Sequence, residues 1–135
     1  MRSTVIIFVD TSALYAALNA GDEHHPASKE TWNRLLDGDD LLLTSNYVLL
    51  ETISLIGRRM GPAAVRDFQA AFASLPEVVW VGEALHQRAV AALLTAGLRD
   101  LSLVDCVSFE LMRELGLDTA FAYDHHFDQQ GFHRA

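Results

Sequence analysis

Four acidic residues stand where the neighbouring sequence gives a carboxylate little reason to be. Asp10 ends the apolar run Val5-Ile-Ile-Phe-Val9, and Glu51 interrupts Tyr47-Val-Leu-Leu-Glu-Thr-Ile-Ser-Leu-Ile56. Asp105 lies within Leu101-Ser-Leu-Val-Asp-Cys-Val107, and Asp124 follows Ala120-Phe-Ala-Tyr123. A lone buried carboxylate costs roughly several kcal/mol unless it is paired or bound to metal. No Lys or Arg accompanies the four in these runs, so a shared cation is the chemistry the set suggests. A hard ion such as Mg²⁺ or Mn²⁺ takes oxygen ligands and keeps several waters, which become reactive or bridging ligands.

Each acid also has a plainer reading. Asp10, in Asp-Thr-Ser, could cap a following helix, and capping is compatible with metal binding. Asp105 stands three residues after Ser102, the spacing of a capping-box-like pair. Asp124 opens Asp-His-His-Phe-Asp, which by itself reads as an ordinary surface turn. Glu51 is the hardest to explain away: among positions 47, 48, 54 and 55 only Ser54 is an aliphatic polar partner, and Arg58 is two turns distant. The pairs His24-His25 and His125-His126 invite a zinc reading. Adjacent residues do not face each other along a helix, however, and no His-Glu-x-x-His occurs. Solvated loop histidines are the expectation, with His125 or His126 near the site. Asp128 is expected to be exposed, and Arg58-Arg59 to form a charge pair at a helix C-terminus.

The elements that must carry these acids alternate. A fully apolar strand at 5–9 suits a parallel strand covered on both faces. Helices are expected at 12–20 and from Pro26 to about Asp37, then a strand at Leu41–Thr44. Asn46 is the expected N-cap of a helix to Arg59, which Gly61-Pro62 breaks before another helix ending near Leu75-Pro76. A strand at Val78–Val81 precedes a helix from Glu83 to Ala96, stopped by Gly97. Ser102 caps a helix to about Leu115, Thr119–Tyr123 is a strand, and Phe132-His133 is a short edge strand. This order implies a single α/β domain, residues 1–135, with a mainly parallel central sheet flanked by helices on both faces. Asp10 and Asp124 then fall at carboxyl ends of strands, where open parallel sheets bind ligands. Glu51 and Asp105 face inward from helices.

Composition narrows the class. The chain has 135 residues, half of them hydrophobic, enough for one real core. No apolar stretch is long enough to span a membrane and no signal-peptide pattern opens the chain, so the cytoplasm is expected. Cys106 is the only cysteine, which excludes an internal disulfide and a cysteine-based zinc site. A net charge of −8 ordinarily opposes nucleic-acid binding, an objection that weakens if cations neutralise an acidic cluster. Glycine-rich nucleotide loops and a Gly-x-Ser-x-Gly elbow are absent, and Asp10-Thr-Ser12 lacks the second Asp two residues on that an Asp-x-Asp phosphatase nucleophile would need.

Phe8-Val-Asp-Thr-Ser-Ala-Leu14, Glu51 in its apolar helix, Leu101-Ser-Leu-Val-Asp-Cys106 and Ala120-Phe-Ala-Tyr-Asp-His-His-Phe127 together resemble the four acidic motifs of PIN domains. The length is most similar to the VapC-type toxins of bacterial toxin–antitoxin pairs. The resemblance implies a PIN fold, a Mg²⁺- or Mn²⁺-dependent endoribonuclease acting on RNA, a homodimer, and a VapB-like antitoxin as partner. It implies catalytic and metal-binding roles for Asp10, Glu51, Asp105 and Asp124, with Thr11 and Ser102 as supporting hydroxyls. Ala122 departs from the pattern, where many relatives carry Thr, and this weakens the second-metal side of the site. The alternatives are a PIN-like module that binds RNA or protein without cutting, and a nuclease directed at DNA.

Overall fold

The computed structural model describes residues 4–135; Met1, Arg2 and Ser3 of the expected domain lie outside the described residues. In chain order the elements are β1 (Ile6–Val9), α1 (Thr11–Leu18), α2 (His25–Asp37), β2 (Leu41–Ser45), α3 (Asn46–Met60) and α4 (Pro62–Ala71). They continue with β3 (Glu77–Val79), α5 (Glu83–Ala96), α6 (Leu103–Glu114), β4 (Thr119–Phe121), α7 (His125–Gln129) and β5 (His133–Arg134). The strands form one sheet in the order β3-β2-β1-β4-β5, and every neighbouring pair is parallel. Successive strand residues point to opposite faces, and Ile7, Phe8 and Val9 are all buried, so both faces of β1 are covered.

The strand order explains where a site can form. The chain leaves β1 toward β2 and β3, then returns to place β4 on the other side of β1. The connections therefore diverge between β1 and β4, and a crevice opens at their carboxyl ends. Val9 is in register with Phe121, and the Asp10 amide continues the ladder with a 3.0 Å bond to the Phe121 carbonyl. Asp10 and Asp124 thus sit on the two lips of the crevice.

Local sequence accounts for most boundaries. Gly97 ends α5 in the left-handed conformation at φ 61°, which costs glycine nothing. Pro62 occupies the first turn of α4, where its missing N–H is no loss. The expected N-cap of α3 is off by one: Ser45, not Asn46, accepts the Val48 amide at 3.1 Å. The Asn46 side chain instead accepts the Val81 amide at 2.7 Å, tying the segment just after β3 to the start of α3. The segment after Asp124 is not a plain turn but the short helix α7. Its hydrophobic anchor is Phe127, packed edge-on against Phe109 of α6 at 4.9 Å between centroids, with Phe132 against both rings.

Phe127 is almost completely buried and is what seats α7, and so Asp124, on α6. Phe127→Ala should lower the unfolding free energy by about 3–5 kcal/mol, the range for truncating a buried aromatic, read from urea denaturation. A loss below about 1 kcal/mol would mean that α7 is held by something else.

Candidate active site

Asp10 is buried and caps α1 with one oxygen only. Its Oδ2 accepts the Ser12 amide at 3.1 Å and the Ser12 hydroxyl at 2.7 Å. That hydroxyl in turn accepts the Tyr123 amide at 2.8 Å, across 111 residues of sequence. Ser12 therefore locks the end of β1 to the strand-exit segment that leads into Asp124. The other oxygen, Oδ1, is buried without any hydrogen-bond partner, alone in this among the buried side-chain polar atoms of the described residues. Such an atom calls for an explanation, and a cation is one. Burial pushes the Asp10 carboxyl up to about 7, the Ser12 bonds working against the rise and the charges of Asp105 and Glu51 adding to it.

Asp105 occupies the third position of α6 in a complete capping box. The Ser102 hydroxyl accepts the Asp105 amide at 3.0 Å, and Asp105 Oδ2 accepts the Ser102 amide at 3.2 Å. The box uses one of the two carboxylate oxygens. Burial raises the Asp105 carboxyl to about 6 despite the Ser102 bonds, with Asp124 and Glu51 contributing by repulsion. Asp124 caps α7 by accepting the His126 amide at 2.9 Å. Glu51 is half-buried on α3. Asp10 feels Asp105 and Glu51, and Asp105 feels Asp124 and Glu51, so the structure gathers all four expected acids into one field.

The arrangement is open. Among the described residues, the one group of three metal-ligating side chains with all ligand atoms within 4.8 Å is Asp100, His125 and His126; the four acids stand further apart. That spacing suits a hard cation that keeps waters between itself and some of its carboxylates. The orphaned Oδ1, the raised carboxyls and the all-oxygen donor set together fit a divalent ion of the Mg²⁺ or Mn²⁺ kind.

The supporting hydroxyls divide. Ser102 belongs to the site through the capping box. Thr11 turns away from the acids: its hydroxyl donates to the Val48 carbonyl at 3.4 Å and accepts from Thr52 at 3.1 Å. It fixes α1 against α3, and so sets the reach of Glu51, rather than touching the crevice. The hydroxyl bound to Asp10 is that of Ser12. Helix phase held the signal, since a residue two after an N-cap aspartate lies within reach of its carboxylate. Two surface expectations hold. Asp128 is exposed and forms a bidentate pair with Arg134, at 3.1 and 2.8 Å. Arg58 and Arg59 close α3, with the Arg59 guanidinium 5.6 Å over the Tyr15 ring. The reading of His125 and His126 as solvated is overturned for His126, which is 4% exposed.

An all-parallel sheet with acids converging where its connections diverge is the architecture of a PIN domain, and that family matches residues 7–132. The chain belongs to the PIN domain family. It is 38% identical over 128 residues to the "23S rRNA-specific endonuclease VapC20" of Mycobacterium tuberculosis, covering 94% of this chain and 95% of that protein. The crystal structure of VapC20, described as a sarcin-ricin loop cleaving toxin, superimposes with a TM-score of 0.82 at 36% identity, over 93% of this chain and 95% of that one. VapBC2 from Rickettsia felis, solved on a DNA fragment from its promoter, shares the fold at a TM-score of 0.71 and 16% identity, over 97% and 98% of the two chains.

The raised carboxyls have a consequence for stability in the absence of metal. Unfolded, Asp10 ionises near 3.8; folded, near 7. Between these values the folded chain holds protons that the unfolded chain has released, so stability is greatest on the acid side and falls as pH rises. Thermal melts in EDTA should therefore decline from about pH 5 to about pH 7.5, and Asp10→Asn should flatten most of that decline. A wild-type profile that rises over this window would refute a buried, unpaired Asp10.

Proposed function

We propose that this chain is an endoribonuclease that hydrolyses RNA phosphodiester bonds with a divalent cation, Mg²⁺ or Mn²⁺, and acts as the toxin of a type II toxin–antitoxin pair. The observation that carries this reading is Asp10: a buried carboxylate with one oxygen fixed by Ser12 and the other without a partner. Asp10, Glu51 and Asp105 are the residues that would hold the cation, with Asp124 as the fourth acid of the site. Ala122 leaves Asp124 without the hydroxyl neighbour expected there and favours an indirect role, orienting water or Asp10. A bound divalent ion supplies charge stabilisation at the phosphoryl oxygens and lowers the pKa of a coordinated water.

The protein's own groups do the positioning. Ser12 holds Asp10 Oδ2, so only Oδ1 is left to face the crevice. The capping box holds Asp105 in the same way, and the Thr11–Thr52–Val48 contacts keep α3 at the distance that brings Glu51 into range. Proton accounting follows from the raised carboxyls: Asp10 and Asp105 must both be ionised for the site to hold its cation. Cleavage at limiting metal should rise with pH through about 6–7, the values of these two groups.

The similarity to VapC20 supports 23S rRNA, and its sarcin-ricin loop, as the first substrate to try. We extend the same reading to the partners: a VapB-like antitoxin that covers the acids, and a second copy of this chain. Leu50 on α3 and Leu94 on α5, exposed by 65% and 76%, offer apolar surface to such partners. Among the described residues no helix is long and apolar enough to cross a membrane.

Purified protein should cut an RNA carrying the sarcin-ricin loop in Mg²⁺ or Mn²⁺ and stop in EDTA. Asp10→Asn should reduce single-turnover cleavage by about 10²-fold or more, the size of effect expected when charge stabilisation is lost. Equal rates for the variant and wild type would remove Asp10 from the site. A folded wild type that binds the RNA and leaves it intact would favour the non-cleaving module. Co-expression with a neighbouring small reading frame should yield a complex of reduced activity, and failure to co-purify at low and moderate salt counts against the pairing.

A further inference from the structure

Beside the four acids lies a second group of ligating side chains with different chemistry. The segment between α5 and α6 brings Asp100 against the first turn of α7. His126 Nε2 stands 3.3 Å from Asp100 Oδ2, and His125 Nε2 stands 3.8 Å from the same oxygen. Ligand atoms of all three residues lie within 4.8 Å of one another. Two ligands on a tetrahedral zinc ion, with bonds of about 2.0–2.1 Å, are roughly 3.4 Å apart. These separations are those of a set able to close on one ion.

The far side of each ring supplies an independent observation. His125 Nδ1 lies 3.7 Å from Asp124 Oδ1, and His126 Nδ1 lies 3.3 Å from Gln129 Oε1. Metal-ligating histidines characteristically give their second nitrogen to a carboxylate or carbonyl, which fixes the tautomer. Here His126 has an oxygen within hydrogen-bond distance of its outer nitrogen and His125 has the Asp124 carboxylate nearby, while both inner nitrogens converge on one carboxylate oxygen. His126 Nε2 also faces the Asp100 carbonyl at 3.2 Å, so this buried nitrogen meets two acceptors at once.

We propose that Asp100, His125 and His126 form a second cation site, selective for a borderline divalent transition ion of the zinc class. Two imidazoles and one carboxylate suit Zn²⁺, Co²⁺ or Ni²⁺ and are poor ligands for Mg²⁺, whereas the four acids are the reverse. The two sites are therefore separable by metal. An ion here fastens the segment that precedes the Ser102 capping box to the turn that carries Asp124, and so braces two of the four acids against each other. The site does not depend on the nuclease reading.

The test is equilibrium dialysis of tag-free protein against Zn²⁺ in excess Mg²⁺, with thermal melts across the same titration. Wild type and Asp10→Asn should both bind one Zn²⁺ per chain and gain stability. His125→Ala and Asp100→Asn, both at exposed positions that tolerate change, should weaken zinc binding by more than about tenfold and lose the stability gain. His126→Ala should do the same if it folds, and the two exposed variants decide the matter if it does not. Equal zinc affinity in wild type, His125→Ala and Asp100→Asn would overturn the site. So would zinc binding lost in Asp10→Asn alone, which would place the ion among the acids. No zinc bound in excess Mg²⁺ would also overturn it.

Discussion

The structure turns on a carboxylate that the protein buries and only half satisfies. Placing Asp10 at the end of the central strand puts a charge where both faces of the sheet are covered. Ser12 answers one oxygen, and no protein group answers the other. Burial of that kind opposes folding at neutral pH unless a cation or a proton arrives. The neighbouring acids make matters worse by repulsion, which is the condition under which a divalent ion binds well.

Three of the four acids are also part of helix starts. Asp10 caps α1, Asp124 caps α7, and Asp105 is the reciprocal member of the capping box of α6. Free N–H groups at helix N-termini carry partial positive charge and tolerate an adjacent anion. Three members of the cluster are thus placed by local backbone needs. This explains how a chain of net charge −8 can hold such a group together. The repulsion is concentrated at one place and opposed there by oriented amides.

Most of the frame was legible because its signals are local. Glycines at 97 and 116 mark the ends of α5 and α6, both at positive φ, and the Ser102–Asp105 spacing announces a capping box. The apolar run before Asp10 could only be a covered strand. What stayed illegible depended on contacts distant in sequence. Nothing near Ser12 reveals that its hydroxyl will meet the Tyr123 amide, and nothing near Thr11 reveals Val48. α7 was missed because five residues carry too little periodicity, and its stability comes from Phe109, some 18 positions earlier than Phe127. The burial of His126 follows from the same packing. Adjacent histidines diverge within a long helix, but in a first turn, with Asp100 brought across them, their rings lie 4.3 Å apart.

The double duty of these aspartates has a genetic consequence. Asparagine is as good an N-cap as aspartate, so Asp→Asn at position 10 or 124 discards the charge and keeps the helix start. One G-to-A transition converts either aspartate codon to an asparagine codon. A single base change therefore separates such a chain from copies that fold and keep both helix starts while losing the acid. Such copies would be hard to recognise from their shape.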